Sequence, residues 1–276
     1  MGRQHFAFNT QPYIMGVINL SPDSWYRESV CLNAEQAIRR GQMLAIQGAD
    51  IIDVGAESTL AHAARAGDAQ QKSKLLPVVE GLREHIISVE TYSTDVAQQA
   101  VAAGAKILNL TGTDKKLYAI AAEHDVAVII CYVQGENVRE VGDFLFKGDI
   151  VATMHEYFAR EIEAATRAGV RKILIDPGLG FYYRNLQDSA VRVRHQMTVF
   201  LNTFRLRVLG FPVCHALPHA FEYFGDQVRS AEPFFAVLAA LGKTDLFRTH
   251  EVPKTKAVLD VLKLFDKETH PLRRSE

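Results

Sequence analysis

The chain repeats one pattern eight times: a short apolar segment, a polar residue after it, and an amphipathic segment, which in five of the units is followed by a glycine. Short apolar segments of this kind are typical of strands buried on both faces, and the amphipathic segments have helical periodicity. Strands that alternate with helices pair in parallel. Eight such units predict a (β/α)₈ TIM barrel, an α/β fold in which 276 residues form one domain, residues 1–276. We expect the charged residues 267–276 to be a frayed tail.

A doubly wound open sheet is the alternative for alternating strands and helices. That fold usually has a glycine-rich phosphate-binding turn after its first strand. Here the first apolar segment, residues 14–18, continues into Asn19-Leu20-Ser21-Pro22, which contains no glycine. The absence of this turn and the regularity of the eight units favour the barrel.

Charge and cysteine usage limit the class of protein. A formal net charge of −1 argues against nucleic acid or an anionic membrane as the main partner. The three cysteines Cys31, Cys131 and Cys214 are widely spaced, which suggests neither a zinc site nor a disulfide framework. We see no signal peptide and no apolar run long enough to cross a bilayer. These features predict a cytoplasmic protein that binds neither nucleic acid nor membrane.

Polar residues stand at or directly after the predicted strands. They are Asn19, Glu57, Glu90, Asn109, Asp176, His215, Arg248 and His250. One such residue can simply satisfy the backbone of a loop. In a barrel, however, the carboxyl ends of the strands meet on one face, and this is where active sites form. Since buried unpaired polar groups are costly, eight of them at one rim predict a functional site.

These residues divide by chemistry into two groups. Glu90, Asn109 and Asp176 offer carboxylates and an amide, which suit a flat, N–H-rich heterocycle such as a pterin or a guanine-like ring. The second group suits an anion, phosphate above all, and consists of Asn19, Ser58, Thr59, Arg248 and His250. Together they predict a central heterocycle with a phosphorylated arm to one side.

Five motifs then resemble a known family. They are Met15-Gly16-Val17-Ile18-Asn19-Leu20-Ser21-Pro22-Asp23-Ser24-Trp25, Gly48-Ala49-Asp50-Ile51-Ile52-Asp53-Val54-Gly55-Ala56-Glu57-Ser58-Thr59, Ser88-Val89-Glu90-Thr91, Asp176-Pro177-Gly178-Leu179-Gly180-Phe181 and Arg248-Thr249-His250-Glu251-Val252. They resemble the signatures of dihydropteroate synthases, members of the pterin-binding barrel superfamily. The motifs occur in family order and span nearly the whole chain, which makes the combination specific.

The resemblance implies a reaction and roles for the residues. Dihydropteroate synthases condense a dihydropterin-methyl pyrophosphate with p-aminobenzoate and release pyrophosphate, with help from Mg²⁺. By this likeness Glu90, Asn109 and Asp176 hold the pterin. Asn19, Thr59, Arg248 and His250 act in catalysis, and with Ser58 they bind the pyrophosphate, Asn19 also touching Mg²⁺. The resemblance also suggests a homodimer that forms through helices far from the strand ends.

Several family motifs are altered. The family has Arg-Pro-Gly where this chain has Leu60-Ala61-His62, and Ser-Arg-Lys where it has Pro218-His219-Ala220. Where the family has an Asp in its third-strand motif, this chain has Glu90, whose side chain is one methylene longer. Cations that could replace the missing Lys and Arg are Arg27, Arg65, Arg184 and His219. These changes leave alternatives to the synthase: a pterin-binding enzyme of altered chemistry, such as a folate-dependent methyltransferase, or a non-enzymatic pterin-binding paralogue that serves as partner or sensor.

Overall fold

Eight strands form one parallel sheet in the structure, a computed structural model that describes residues 5–8, 10–24, 26, 29–58, 63–181 and 183–266. The strands are β1 Tyr13–Asn19, β2 Ile51–Gly55, β3 Ile87–Thr91, β4 Ile107–Leu110, β5 Ala127–Cys131, β6 Ile173–Asp176, β7 Cys214–Ala216 and β8 Leu246–Thr249. Most neighbours in sequence are neighbours in the sheet, and β8 returns to pair with β1. A parallel bridge between Ile175 and Val213 links β6 to the segment before β7. The ring of strands confirms the predicted (β/α)₈ barrel and excludes the open sheet.

Helices cover the outside of this ring. They are α1 Ala34–Ile46, α2 Asp68–Gly81, α3 Thr94–Ala103, α4 Lys116–Glu123, α5 Ile150–Arg167, α6 Ser189–Asn202, α7 Phe221–Phe224, α8 Ala231–Leu241 and α9 Val252–Asp266. The start of α1 is as predicted, because the Asn33 side chain accepts a hydrogen bond from Gln36 N. Within the described part of the chain, no helix is both long enough and apolar enough to cross a membrane. The predicted frayed tail, residues 267–276, lies outside the described residues.

The sequence pattern over residues 185–209 predicts one long helix that ends at Gly210. This prediction is wrong, because the segment consists of several shorter helical pieces. Helix α6 begins only at residue 189, where the carboxylate of Asp188 accepts a hydrogen bond from Val191 N. After α6 the chain tightens into two short 3₁₀ turns. The Thr203 hydroxyl bonds the Val199 carbonyl at 2.9 Å and the His215 ring at 2.8 Å, so a side-chain contact fixes this change of direction.

The prediction for the seventh strand is also wrong by about three residues. It placed the strand at residues 211–214 and His215 at the mouth of the barrel, whereas β7 is Cys214–Ala216. Pro212 has no N–H to donate, and Val213 N donates to the carboxylate of Asp245 instead. His215 therefore lies inside the strand and faces the helices, where its ring packs 4.8 Å from that of Phe200. Burial there lowers the pKa of His215 to about 3.

The interior of the barrel changes from apolar to polar along each strand. Because side chains of a strand alternate between faces, residues two apart point the same way. In β4 and β6 an apolar interior residue is followed two positions later by a polar one: Ile107 by Asn109, and Leu174 by Asp176. The apolar layer fills the lower barrel, and the polar layer lies at the carboxyl ends of the strands.

Candidate functional site

A cavity of about 200 Å³ opens at the carboxyl ends of the strands. Seven of the eight predicted site residues line it: Asn19, Ser58, Glu90, Asn109, Asp176, Arg248 and His250. The eighth, Thr59, lies outside the described residues. Side chains that are up to 231 residues apart in sequence, Asn19 and His250, thus line one cavity.

Asp53 is the centre of the polar layer, and the sequence analysis did not select it. It is fully buried in β2 and accepts hydrogen bonds from Ser88 Oγ at 2.6 Å, Arg248 Nε at 2.7 Å and Asn109 Nδ2 at 3.3 Å. Cys131 Sγ in turn donates to Asn109 Oδ1 at 3.3 Å. The amide of Asn109 is therefore held in one orientation from both sides. The signal that could have identified Asp53 is a carboxylate inside an otherwise apolar strand.

Arg248 lies with the predicted pterin group of residues. Its guanidinium bonds Asp53 and also the carboxylate of Glu90, and its side chain is 16% exposed. Burial works against its charge, but the charges of Glu90 and Asp53 outweigh burial and raise the pKa of Arg248. Both carboxylate partners are below it in the barrel wall, so this arginine is neutralised by the protein itself.

Two carboxylates face the cavity with raised pKa values. Burial, with a smaller contribution from Asp53, raises the pKa of Asp176 to about 6, although Gly178 N donates to its Oδ1 at 2.7 Å. Burial also raises the pKa of Glu90, to about 7, against the effect of Arg248. Excess negative charge in a buried, partly desolvated cavity suits a ligand that donates N–H groups or carries positive charge.

The rim beside β1 and β8 carries a second cluster of polar groups. Asn19 Nδ2 donates to Ser29 Oγ at 2.6 Å and lies 3.3 Å from His250 Nε2. The other ring nitrogen of His250, Nδ1, lies 2.7 Å from Oε1 of Glu232. His219 Nε2 approaches the same oxygen at 3.1 Å. The sequence analysis selected neither Glu232 nor this contact, because Glu232 appeared only as the first turn of a helix.

The sequence model of the family described as pterin binding enzyme matches residues 15–213. This range covers well over half of the chain. The chain belongs to the pterin-binding enzyme family. The family membership predicted from the five motifs is confirmed.

Individual members of the family resemble the chain along its whole length. A dihydropteroate synthase of Synechocystis sp. is 27% identical over 282 residues, which cover 96% of this chain and 93% of that protein. The structure of Xanthomonas albilineans dihydropteroate synthase with 4-aminobenzoic acid is 29% identical, with a TM-score of 0.79 and 94% of each chain covered. The same enzyme in complex with 7,8-dihydropteroate is 28% identical, with a TM-score of 0.77 and 94% and 95% covered.

Only some of the residues at or near the altered family motifs lie at the cavity. Of the four cations suggested as replacements, His219 lines the cavity, whereas Arg65 and Arg184 do not. Arg65 pairs with Glu140, and Arg184 lies near Asp143, both with more than half of the side chain exposed. Arg27 lies outside the described residues. His219 therefore occupies the place at which the family motif has its Ser-Arg-Lys.

Glu57 supports the loop after β2. Its Oε2 accepts from Tyr92 Oη at 2.7 Å, and its Oε1 accepts from Ala66 N at 3.0 Å. Buried Arg139 lies beside it and donates to the carbonyls of Ser58 and Ala63. Ser58 and Ala63 are thus both attached to the barrel, and Glu57 has a structural role there although it also lines the cavity.

Proposed function

We propose that this chain is a dihydropteroate synthase, a transferase of folate biosynthesis. It joins p-aminobenzoate to a dihydropterin-methyl pyrophosphate and releases pyrophosphate. One observation carries the proposal: Glu90, Asn109 and Asp176, from three different strands, line one buried cavity in a chain that belongs to the pterin-binding family. The related enzyme of X. albilineans has been seen with 4-aminobenzoic acid and with 7,8-dihydropteroate.

The pterin is proposed to bind at the polar floor of the cavity. Asp176 accepts ring N–H groups, since Gly178 N already fixes the orientation of its carboxylate. Asn109, held by Asp53 and Cys131, offers a fixed amide edge to the ring. Preorganised groups of this kind select a heterocycle by its pattern of donors and acceptors.

The phosphorylated arm is proposed to lie toward the rim, near Asn19, Ser58, His250 and, as predicted from sequence, Thr59. Mg²⁺ fits this rim because Asn19 Nδ2 is used by Ser29, which leaves the amide oxygen as the hard ligand that Mg²⁺ prefers. Mg²⁺ commonly takes one or two protein oxygens and completes its shell with phosphate and water. When bound, it neutralises negative charge on the leaving pyrophosphate.

The assembly and compartment are also proposals. A homodimer is supported by exposed apolar side chains on the last two helices, Leu241 on α8 and Val261 and Leu264 on α9. A cytoplasmic location is supported by the composition, as argued from the sequence.

The proposal is tested by a synthase assay on the full chain with both substrates and Mg²⁺. We expect dihydropteroate and pyrophosphate to form in equal amounts. Asp176→Asn should weaken pterin binding by on the order of 100-fold, because an amide donates where the carboxylate accepts. Asp226→Asn, at an exposed position, is the matched control and should bind as the wild type. If the protein is folded and binds pterin but forms product only at the background rate, the synthase proposal is wrong.

A second candidate is a family member that binds pterin without synthesis. One observation favours it: the arginines that line the cavity are both ion-paired, Arg248 with Asp53 and Glu90, and Arg192 with Glu222 at 2.8 Å. Among the residues that the structure describes, fewer uncommitted cations then face the leaving anion than a Lys and an Arg would supply. This candidate would be established if calorimetry detects pterin binding and no product forms during an incubation long enough for many turnovers.

A further inference from the structure

Three side chains from different parts of the chain converge at the rim of the cavity. His219 is in the loop after β7, Glu232 is in the first turn of α8, and His250 directly follows β8. One ligating atom from each lies within 4.8 Å of the other two. All three are largely buried, with 13%, 1% and 11% of the side chain exposed.

The carboxylate of Glu232 is fixed so that one oxygen serves the two imidazoles. Oε2 accepts from the Thr249 hydroxyl and from the backbone N–H groups of His250 and Glu251, at 2.8 and 3.0 Å for the latter two. Oε1 faces His219 Nε2 at 3.1 Å and His250 Nδ1 at 2.7 Å. Oε1 can therefore bind a further ligand while the hydrogen bonds to Oε2 keep the carboxylate in place.

His219 and Glu232 are close together but do not share a hydrogen bond. His219 Nε2 is buried and has no hydrogen-bond partner among the described residues, although Oε1 is 3.1 Å away. An imidazole nitrogen and a carboxylate oxygen that point lone pairs at a common space are expected where a cation binds. Two metal bonds of about 2.1 Å, at angles of about 90–110°, hold their donor atoms about 3.0–3.4 Å apart.

The two imidazole rings are held in place by stacking. The ring of Tyr26 stacks on both of them, 4.9 Å from His219 and 4.8 Å from His250, and the two imidazole rings lie 5.1 Å from each other. Phe221 stacks on His219 at 5.2 Å. The Tyr26 hydroxyl donates to Glu251, which ties the stack to α9. Rings held in this way cannot turn their nitrogens away from the common space, a property of supported metal sites.

We propose that His219, Glu232 and His250 bind a divalent first-row transition-metal ion at the rim of the cavity. Two imidazoles and one carboxylate suit Zn²⁺, Co²⁺, Mn²⁺ or Fe²⁺, whereas Mg²⁺ prefers oxygen ligands. Binding displaces the proton shared by His250 Nδ1 and Glu232 to solvent. Three protein ligands leave coordination positions open, and since His219 and His250 line the cavity these positions face it. This site is separate from the Mg²⁺ role proposed for Asn19 and does not depend on the synthase reaction.

The test is titration of the chelator-treated full chain with Co²⁺, followed by visible absorption, and then with Zn²⁺. We expect one Co²⁺ per chain, a spectrum that indicates nitrogen and oxygen ligands, displacement by Zn²⁺, and no displacement by Mg²⁺. Loss of a supporting residue around a metal commonly costs 10–100-fold in affinity, so His219→Phe, which keeps the stacking but loses Nε2, should cost at least about 100-fold.

His124→Phe changes an exposed histidine directly after helix α4, outside this cluster, and serves as the matched control. It should bind Co²⁺ as the wild type does. Glu232→Gln should also lose the ion, with circular dichroism used to show that the variant is folded. The proposal is overturned if the folded wild type binds no Co²⁺ or Zn²⁺, or if His219→Phe and His124→Phe bind equally well. No pterin is present in this experiment, so its failure leaves the synthase proposal intact.

Discussion

Asp53 receives three hydrogen bonds inside the barrel and shares the charge of Arg248 with Glu90. We expect Asp53→Asn to destabilise the protein by about 3 kcal/mol, because removing one partner of a buried ion pair leaves the other charge incompletely compensated. The amide also cannot accept from three donors as the carboxylate does. Urea unfolding followed by circular dichroism measures the free energy of unfolding.

An exposed aspartate gives the matched control for this change. Asp260 pairs with Lys256 on the surface of α9, where both side chains are nearly half exposed. Asp260→Asn should cost less than about 1 kcal/mol, since exposed ion pairs contribute little. If both variants lost the same stability, Asp53 would not have the central role that its contacts indicate.

Sequence reasoning found the site residues that end or follow strands and missed those whose role depends on a distant partner. Asn109 and Asp176 were predicted because each closes an apolar run at the face where barrels bind ligands. Asp53 lies inside such a run, and its direction into the barrel depends on the register of β2 with its neighbours. Glu232 meets His250 from 18 residues away, a contact that no local pattern encodes.

At the scale of elements, the junction between α6 and α8 depends on a glycine. A Cβ added at Gly242, the residue that ends α8, would lie 1.7 Å from the carbonyl oxygen of Phe200. That atom is backbone and cannot rotate away. We expect Gly242→Ala to cost about 3 kcal/mol or more, because the two helices must move apart. Chemical unfolding again measures the loss.

Gly142→Ala provides the comparison, since nothing lies within 4 Å of a Cβ at that position. Neither glycine has a positive φ, so the two variants differ in available space and not in backbone strain. Gly142→Ala should change the free energy of unfolding by less than about 0.5 kcal/mol. A Gly242→Ala variant as stable as Gly142→Ala would show that the junction is looser than described.

Element boundaries followed the sequence where a local signal set them. Asn33 and Gly104 are local signals from which the sequence alone predicts the start of α1 and the end of α3, and the structure has both ends there. The sequence of residues 185–209 has a helical pattern throughout, but the contact of Thr203 with His215 ends the α-helix before residue 209. Strand β7 is short and begins after Pro212, and its pairing with β8 rather than its own composition decides its register.

At the scale of the whole molecule, the regular order of the units was enough to predict a closed barrel, because parallel strands joined by helices have few ways to bury both faces. The closed barrel then concentrates carboxylates in one desolvated space. Asp53, Glu57, Glu90 and Asp176 all contribute negative charge there, and the arginines Arg139 and Arg248 offset only part of it. This balance makes both stability and ligand binding depend on pH.

The contribution of the cavity carboxyls to stability and their contribution to pterin binding should respond to pH in opposite directions. Burial raises the pKa of Asp176 to about 6 and that of Glu90 to about 7, so the folded protein holds protons that the unfolded chain releases. The stabilising effect of these protons is complete below the ordinary carboxyl pKa values and is lost as pH rises through about 6 to 7. For one group, a pKa raised by about two units changes the free energy of unfolding by about 3 kcal/mol at most. Pterin binding needs Asp176 as a carboxylate and should strengthen over the same range.

Thermal unfolding between pH 5 and 8, with and without a pterin ligand, measures both effects. The buried histidines His195 and His215, whose pKa values burial lowers to about 4 and about 3, add an opposite trend that wild type and Asp176→Asn share. We therefore expect the melting temperature of the free wild type to fall relative to that of Asp176→Asn as pH rises, while the increase caused by the ligand grows. In Asp176→Asn, which cannot ionise, the growth of the ligand effect should be weaker, and Asp226→Asn should behave as the wild type. A free wild type whose melting temperature rises relative to that of Asp176→Asn between pH 5 and 8, or a ligand effect that shrinks there, would contradict the assignment of Asp176 as a buried acceptor for the pterin ring.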